Sequence, residues 1–308
     1  MGFESATSIA LAESYLARGV PARAIDVLKQ LLAEDPEDAT AHGTLARALL
    51  DMRRPYAAAH EAGLAVSLEP ESSYCHSVMA AALVANRRLG AAREHLGRAI
   101  ELSPENAAVL SQLAAVELLD GRTEAALEHA RRARNFAPSD PDILCRLAEC
   151  ELASGMLDQA EQTARAALSE FPEHADSLVA MGRLLLLRGN TEGAREHAVW
   201  VLQSAPGHDG ALRLLVDAKI RQSLFLGLWW RVNAWLTRTA SRAVAVLVLA
   251  YLVQRALGTW ASIEGYRMTA EIIGYSWIAI CVYSWVAPAL HARALKKELE
   301  EVRLRPDF

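Results

Sequence analysis

The chain has 308 residues, enough for one large domain or two ordinary ones. It is 52% hydrophobic and 6% aromatic, and its mean hydropathy of +0.10 is slightly apolar for a soluble protein. Its formal net charge is −5, with an acidic excess in the N-terminal two-thirds and a basic excess after residue 221. The acidic part argues against nucleic-acid binding, because phosphates require a basic face.

The four cysteines, Cys75, Cys145, Cys150 and Cys281, have neither zinc-type spacing nor the pattern of a disulfide framework. We expect small apolar side chains in a reducing compartment. The N-terminal segment contains Glu4 and Glu13 and no long apolar run, so it does not read as a secretory signal. We therefore expect this part of the chain to stay in the cytoplasm.

Prolines recur every 34 residues, at Pro36, Pro70, Pro104, Pro138, Pro172 and Pro206. A fixed period of this length is typical of stacked helix–turn–helix repeats. Each proline ends a helix, because the residue before proline is driven out of the helical region. The period divides the chain into six units, 5–38, 39–72, 73–106, 107–140, 141–174 and 175–208.

Other positions of the 34-residue unit, here called columns, repeat as well. Column 8 is Ala or Gly and column 20 is always Ala, which lets two antiparallel helices approach closely. Column 15 is Gly in four units, where the first helix needs a left-handed end. Arg53 and Arg87 replace that glycine in the second and third units, so we expect those turns to be strained or differently shaped.

These columns resemble the tetratricopeptide repeat family over residues 5–208. The sequence departs from the family pattern at column 4, often Trp or another large residue, and at column 24, often aromatic, which is mostly small here. The resemblance implies an all-α, right-handed superhelix of six helix pairs with a concave groove lined by first helices. An amphipathic segment, 209–222, is predicted to cap the stack as a lone helix.

The resemblance implies that groove residues bind a partner protein or peptide. In the middle units the groove columns are mostly small, which favours apolar burial of a peptide, although tight superhelical winding would also explain them. The lysine and asparagine pattern by which co-chaperone members grip a carboxylate is missing. The predicted groove residues are Tyr74, Ser77, Ala81, Ser111, Ala115, Leu118, Leu119, Asp142, Cys145 and Glu149.

After residue 222 the composition becomes that of a membrane protein. The segment 223–242 combines tryptophans with arginines, which suit the lipid headgroup layer. Two transmembrane helices are predicted at 243–263 and 272–290, the second free of charge over 19 residues. The alternatives are a buried capping helix for 223–242 and a surface helix for 243–263. The predicted interface residues are Trp229, Trp230, Arg231, Trp235, Arg238 and Arg242.

Charge predicts the topology of this transmembrane hairpin. Basic residues flank it in the approach and in the tail 291–308, which places both ends and the repeats in the cytoplasm at a bacterial inner membrane. Gln254 and Arg255 interrupt the first span. Arg255 is expected to snorkel, pair within the hairpin or contact a membrane-protein partner.

Chemical motifs are missing from the sequence. No catalytic signature, phosphate loop or dinucleotide fingerprint occurs, so we expect neither enzymatic activity nor a cofactor or metal. His95, His129 and His197 share column 23, which we interpret as a solvated face. His42 and His76 share column 4, and either packing with hydrogen bonds or a shared ligand or switch role would explain them.

The leading functional hypothesis is a membrane-anchored scaffold or adaptor whose groove recruits or organises a partner protein, with the hairpin in lipid. Two alternatives stay open: a self-assembling structural subunit, and an accessory subunit of a membrane enzyme or secretion complex.

Overall fold

A computed structural model describes residues 2–222 and 240–263, together with Tyr266, Met268, Glu271 and Tyr275. All regular structure in these residues is helical, and they contain no strand. The helices are α1 Gly2–Ala17, α2 Pro21–Glu34, α3 Ala39–Asp51, α4 Pro55–Leu68, α5 Ser73–Ala85, α6 Leu89–Leu102, α7 Ala107–Leu119, α8 Thr123–Phe136, α9 Pro141–Ala153, α10 Leu157–Glu170, α11 Ala175–Leu187, α12 Thr191–Ser204, α13 Asp209–Gln222 and α14 Ala240–Ile263.

The helix starts keep the 34-residue period. From α3 onward the first helices begin at residues 39, 73, 107, 141 and 175, and α13 begins at 209. The second helices begin at residues 21, 55, 89, 123, 157 and 191. The predicted all-α helical repeat fold is therefore confirmed.

One side chain at the end of each unit caps the next first helix. Column 34 holds Asp38, Ser72, Asn106, Asp140, His174 and His208, and each accepts a hydrogen bond from the backbone N–H three residues on. The donor–acceptor distances run from 2.8 Å at Asp38 to 3.4 Å at Ser72. These bonds satisfy N–H groups that have no partner within the helix.

The turn inside each repeat is left-handed whether or not it holds glycine. Gly121 and Gly155 have φ values of 78° and 76°, and Arg53 and Arg87 reach 56° and 60°. The predicted strain at the two arginines is therefore present without a change of turn shape. This conformation is sterically unfavourable for any residue that has a Cβ.

The chain divides into two compact units, Met1–Ala180 and Met181–Phe308. In the first, the small column 8 and column 20 residues are buried where the helices of a pair meet, as at Ala46 and Ala58. In the second, Gly182 lies directly against Leu214 of α13. In both units, the missing side-chain volume is what allows these close approaches.

The predicted membrane part is described only at α14 and the four isolated residues after it. Among the described helices, none combines the length and apolar character that crossing a bilayer requires. This finding does not support the predicted span at 243–263, whose apolar sequence Gln254 and Arg255 interrupt. The segment 223–239, the span 272–290 and the tail 291–308 lie outside the described helices.

Candidate protein-interaction site

The first helices of the Met1–Ala180 unit form a continuous row. α1 contacts α3, α3 contacts α5, α5 contacts α7, and α7 contacts α9. Columns 2, 5, 9, 12 and 13 of each repeat lie on these helices. We call the surface that their side chains share the groove face. Eight of the ten predicted groove residues are at least partly accessible: Tyr74, Ala81, Ser111, Ala115, Leu118, Leu119, Asp142 and Glu149.

Ser77 and Cys145, the other two, are buried, with 8% and 5% of their surfaces exposed. The Ser77 hydroxyl donates to the backbone carbonyl of Tyr74 at 2.8 Å. Burial raises the pKa of the Cys145 thiol, and the charge of Glu149 raises it further. Both side chains therefore support the helices and offer nothing to a partner.

Tyr74 joins two repeats. Its ring covers Gly43 of α3 so closely that a Cβ at position 43 would lie 2.7 Å from Cε1 of the ring. The Tyr74 hydroxyl lies 3.1 Å from Oγ1 of Thr44, which is fully buried. Part of the tyrosine is thus committed to packing, and its remaining surface forms part of the groove face.

The middle of the groove face is apolar. Ala81 of α5 and Ala115 of α7 are half-buried, as is Leu118. Leu119, at the last position of α7, is 63% exposed although it has no polar atom in its side chain. Small neighbours beside a large exposed leucine leave room for apolar side chains of a partner.

Charged groups flank this apolar stretch. Toward the N-terminus, Nη1 of Arg47 lies 3.4 Å from Oε1 of Glu13. Toward the other end, Arg146 forms an ion pair with Glu149. Both pairs are partly exposed and weak in water, so they contribute more to the choice and orientation of a partner than to stability.

Asp142, His174 and Asp176 place ligand atoms within 4.8 Å of one another, close enough for a cation. His174 is held in this position because it caps the next helix. Its Nδ1 accepts from the Ser177 hydroxyl and backbone N–H, so Nε2 carries the proton and donates to Asp142 at 3.1 Å. Helix capping therefore accounts for the arrangement without an ion.

The column 4 histidines are anchored by hydrogen bonds within their own surroundings. Nε2 of His42 lies 3.0 Å from the carbonyl of Pro36, and Nε2 of His76 lies 3.0 Å from that of Pro70. Nδ1 of His42 lies 2.7 Å from Glu61. These hydrogen bonds fit the packing interpretation, and no ligand shared between the two histidines is needed to explain their positions.

Column 23 is not the solvated face that we expected. Nδ1 of His95 lies 2.9 Å from Nδ1 of His76. The side chains of His95 and His129 are both half-buried. Burial is the main cause that lowers the pKa of each ring, because it disfavours the charged imidazolium. The column lies against the paired first helix, which the sequence period alone does not reveal.

Sequence reasoning also missed two buried glutamates in column 11. Glu117 and Glu151 are each 4% exposed, although the same column holds leucine in other repeats, such as Leu49 and Leu83. Glu117 accepts hydrogen bonds from Arg93 on α6, the second helix of the preceding repeat, and column 11 is not one of the groove columns. The break in an otherwise apolar column was the available signal.

Among the predicted membrane residues, the structure describes the side chains of Gln254 and Arg255. Arg255 is exposed and Gln254 is half-exposed on α14. The interface residues Trp229, Trp230, Arg231, Trp235 and Arg238 lie outside the described residues, and Arg242 is described only as part of the α14 backbone.

The repeats define the class of the protein. A family model for the tetratricopeptide repeat matches residues 15–82, 83–143, 117–166 and 151–198, together more than half of the chain. The protein belongs to the tetratricopeptide repeat family, whose fold is suited to protein–protein interaction. A comparison with curated proteins gives no significant match.

Solved structures show the same fold. A thermophilic repeat protein of Thermus thermophilus is 26% identical, with a TM-score of 0.55 over 59% of this chain and 99% of that one. PilF of Pseudomonas aeruginosa is 21% identical, with a TM-score of 0.52 and coverages of 70% and 98%. PilW, a type IV pilus biogenesis factor, is 18% identical, with a TM-score of 0.55 and coverages of 68% and 98%.

Proposed function

We propose that this protein is a scaffold or adaptor whose groove face binds a segment of a partner protein. The observation that carries the proposal is Leu119, a large apolar side chain that is 63% exposed on α7, the fourth of the five first helices in the row. Membership of the tetratricopeptide repeat family supports the same function.

The chemistry of the groove face describes the segment that would fit. Around Ala81, Ala115 and Leu118 the surface is apolar and shallow, which suits an apolar stretch of an extended or helical peptide. The Glu13–Arg47 and Arg146–Glu149 pairs flank it and would meet polar residues. Apolar burial would provide the affinity, and the charged flanks would fix the position of the bound peptide along the groove face.

The test replaces Leu119 with Glu in the full-length protein, which places a charge in the apolar stretch. Partners are captured from the native membranes in mild detergent and quantified against the wild type. We expect loss of a specific partner, because a carboxylate cannot be buried against apolar side chains without a counter-charge.

Phe136 provides the matched control. It is also a large exposed apolar residue, 47% exposed at the last position of α8, and it stands outside the groove columns. Phe136→Glu should leave the captured partner unchanged. Equal loss in both variants, or no loss with Leu119→Glu, would contradict the groove-binding proposal.

We also propose that the C-terminal part holds the repeats at the cytoplasmic face of a bacterial inner membrane. The support is in the sequence: 272–290 has no charged residue, tryptophans and arginines precede α14, and the tail 291–308 is basic. Membrane lipid and a membrane-protein partner would then meet this part of the chain.

Ile280→Arg tests the anchor, because an arginine near the centre of a span costs about 2.5–3.5 kcal/mol on insertion scales. We expect the variant to become extractable from membranes at alkaline pH, whereas the wild type stays. Leu304→Arg, in the tail, is the control and should behave as the wild type. An unchanged membrane fraction for Ile280→Arg would refute an anchor at 272–290.

A further inference from the structure

His76 and His95 form a hydrogen-bonded pair inside the third repeat. Nδ1 of His76 on α5 lies 2.9 Å from Nδ1 of His95 on α6, and the ring centroids are 5.2 Å apart. His76 is 8% exposed and His95 is half-buried. The contact therefore joins the two helices of the repeat in a place that water reaches poorly.

The proton positions in this pair follow from its neighbours. Nε2 of His76 lies 3.0 Å from the carbonyl oxygen of Pro70, which only accepts, so Nε2 carries a proton. When both rings are neutral, Nδ1 of His76 accepts and Nδ1 of His95 donates. One extra proton is tolerated, because an imidazolium donates to a neutral imidazole. A second extra proton leaves two cationic donors facing each other.

The second repeat has the same geometry with one residue changed. Nε2 of His42 lies 3.0 Å from the carbonyl of Pro36, and Nδ1 lies 2.7 Å from Oε2 of Glu61. Glu61 and His95 both occupy column 23. A protonated His42 donates to the Glu61 carboxylate, so a proton that would separate the third-repeat pair strengthens the second-repeat one.

The charged groups around the pair do not supply the missing counter-charge. Burial lowers the pKa of His95, the neighbouring His76 lowers it further, and only Glu94 on the same helix opposes them. Several other charged groups on packed elements are paired elsewhere: Arg93 with Glu117 of α7 and Asp120, Arg98 with Glu71 and Glu101, Glu61 of α4 with His42, and Arg47 of α3 with Glu13. Asp51 at the end of α3 and His60 on α4 are also titratable, and no effect of either on His95 is resolved.

We propose that the His76–His95 pair is a pH-sensitive joint that releases α5 from α6 in mildly acidic solution, while the His42–Glu61 pair keeps α3 and α4 together. α5 also carries Tyr74, whose ring covers Gly43 of the preceding repeat. Opening the joint would therefore move Tyr74 and change the groove face between the second and third repeats. The proposal does not depend on which partner the groove binds.

Hydrogen–deuterium exchange of the full-length protein at pH 7.5 and pH 5.0, corrected for intrinsic exchange rates, measures the opening of each helix pair. An opening that takes up one extra proton grows by at most about tenfold per pH unit below the ordinary histidine pKa of about 6.5. We expect acid to lower protection in α5 and α6 more than in α3 and α4. An equal change in the two pairs would refute the joint.

Two substitutions exchange the chemistry of the repeats. His95→Glu gives the third repeat the His–Glu pair of the second, and it should abolish the extra acid sensitivity of α5 and α6. Glu61→His gives the second repeat a His–His pair, and it should make α3 and α4 acid-sensitive. Acid sensitivity that persists in His95→Glu, or fails to arise in Glu61→His, would overturn the proposal.

Histidine ring 15N chemical shifts of the wild type supply a readout that needs no variant to fold. At pH 7.5 we expect His76 protonated at Nε2 and His95 at Nδ1. On acidification the pair should take up its two extra protons in two separate steps, the second at a lower pH than an exposed histidine. Uptake of both protons at the ordinary histidine pH would contradict the paired geometry.

Discussion

Arg93 of α6 holds the buried carboxylate of Glu117 with two hydrogen bonds, from Nε to Oε1 at 2.7 Å and from Nη2 to Oε2 at 3.3 Å. The same arginine reaches Asp120 at 2.6 Å. One repeat later, Glu151 occupies the position of Glu117, and Leu127 occupies that of Arg93. Glu151 therefore lacks a direct counterpart of Arg93, and the charges of Arg131 and Arg134 offset only part of the rise in its pKa that burial causes.

Glu151→Gln should stabilise the protein near neutral pH by about 1 kcal/mol, because the buried carboxylate has an unpartnered Oε2 and burial raises its pKa. A carboxyl whose pKa is raised in the folded state loses stability as pH rises above its unfolded value of about 4.3. The gain from Glu151→Gln should therefore grow between pH 4 and pH 7. Urea unfolding at several pH values measures it.

Glu117→Gln is the matched control and should have the opposite sign. The substitution leaves Arg93 partly buried without its main partner, and we expect a loss of about 1–3 kcal/mol. If both substitutions shift the urea midpoint in the same direction, the contrast between the two glutamates does not govern stability.

Arg87→Gly should raise the free energy of unfolding slightly, because a left-handed residue with a Cβ costs roughly 1–2 kcal/mol. The greater freedom of glycine in the unfolded chain offsets part of this gain, so we expect about 0.5 kcal/mol net. Gly121→Ala, at the same column with φ 78°, should destabilise. Thermal unfolding of the two variants gives the comparison, and a destabilised Arg87→Gly would contradict it.

Gly43→Ala should destabilise the protein by about 1–3 kcal/mol, because the added methyl overlaps the Tyr74 ring. Gly63→Ala serves as the control. It lies inside α4 with open space around its missing Cβ, and alanine there should stabilise by about 0.5–1 kcal/mol. Chemical denaturation distinguishes the two, and a neutral Gly43→Ala would mean that Tyr74 moves without cost.

The described cysteines should resist alkylation in the folded protein. Cys75, Cys145 and Cys150 are buried free thiols, and burial raises the pKa of Cys150 to about 12. Thiolates are the reactive form, so at pH 8 these side chains should stay unlabelled by iodoacetamide until urea unfolds the chain. Mass spectrometry of the tryptic peptides checks this, and rapid native labelling of Cys150 would contradict its burial.

The repeat fold was predictable from the sequence because a proline-ended helix pair recurs with a constant period, and small residues mark every close approach. The pairing of His76 with His95 was not predictable. It depends on how far a side chain in column 4 reaches across to column 23, and the period says only that both columns recur. The burial of Ser77 and Cys145 was missed for a similar reason, since helix geometry assigns them to the groove but neighbouring helices cover them.

The capping contacts of Asp38, Ser72, Asn106 and Asp140 bear on which insertions and deletions the repeat array can accept. Each first helix depends on the last residue of the preceding unit for its first turn. Removing or duplicating any 34 consecutive residues inside the array recreates a capped junction, because column 34 still precedes column 1. Removing 33 or 35 residues would leave one repeat a residue too short or too long, and part of its helix would turn its apolar face away from its neighbours. We therefore expect insertions and deletions to be tolerated in whole repeats.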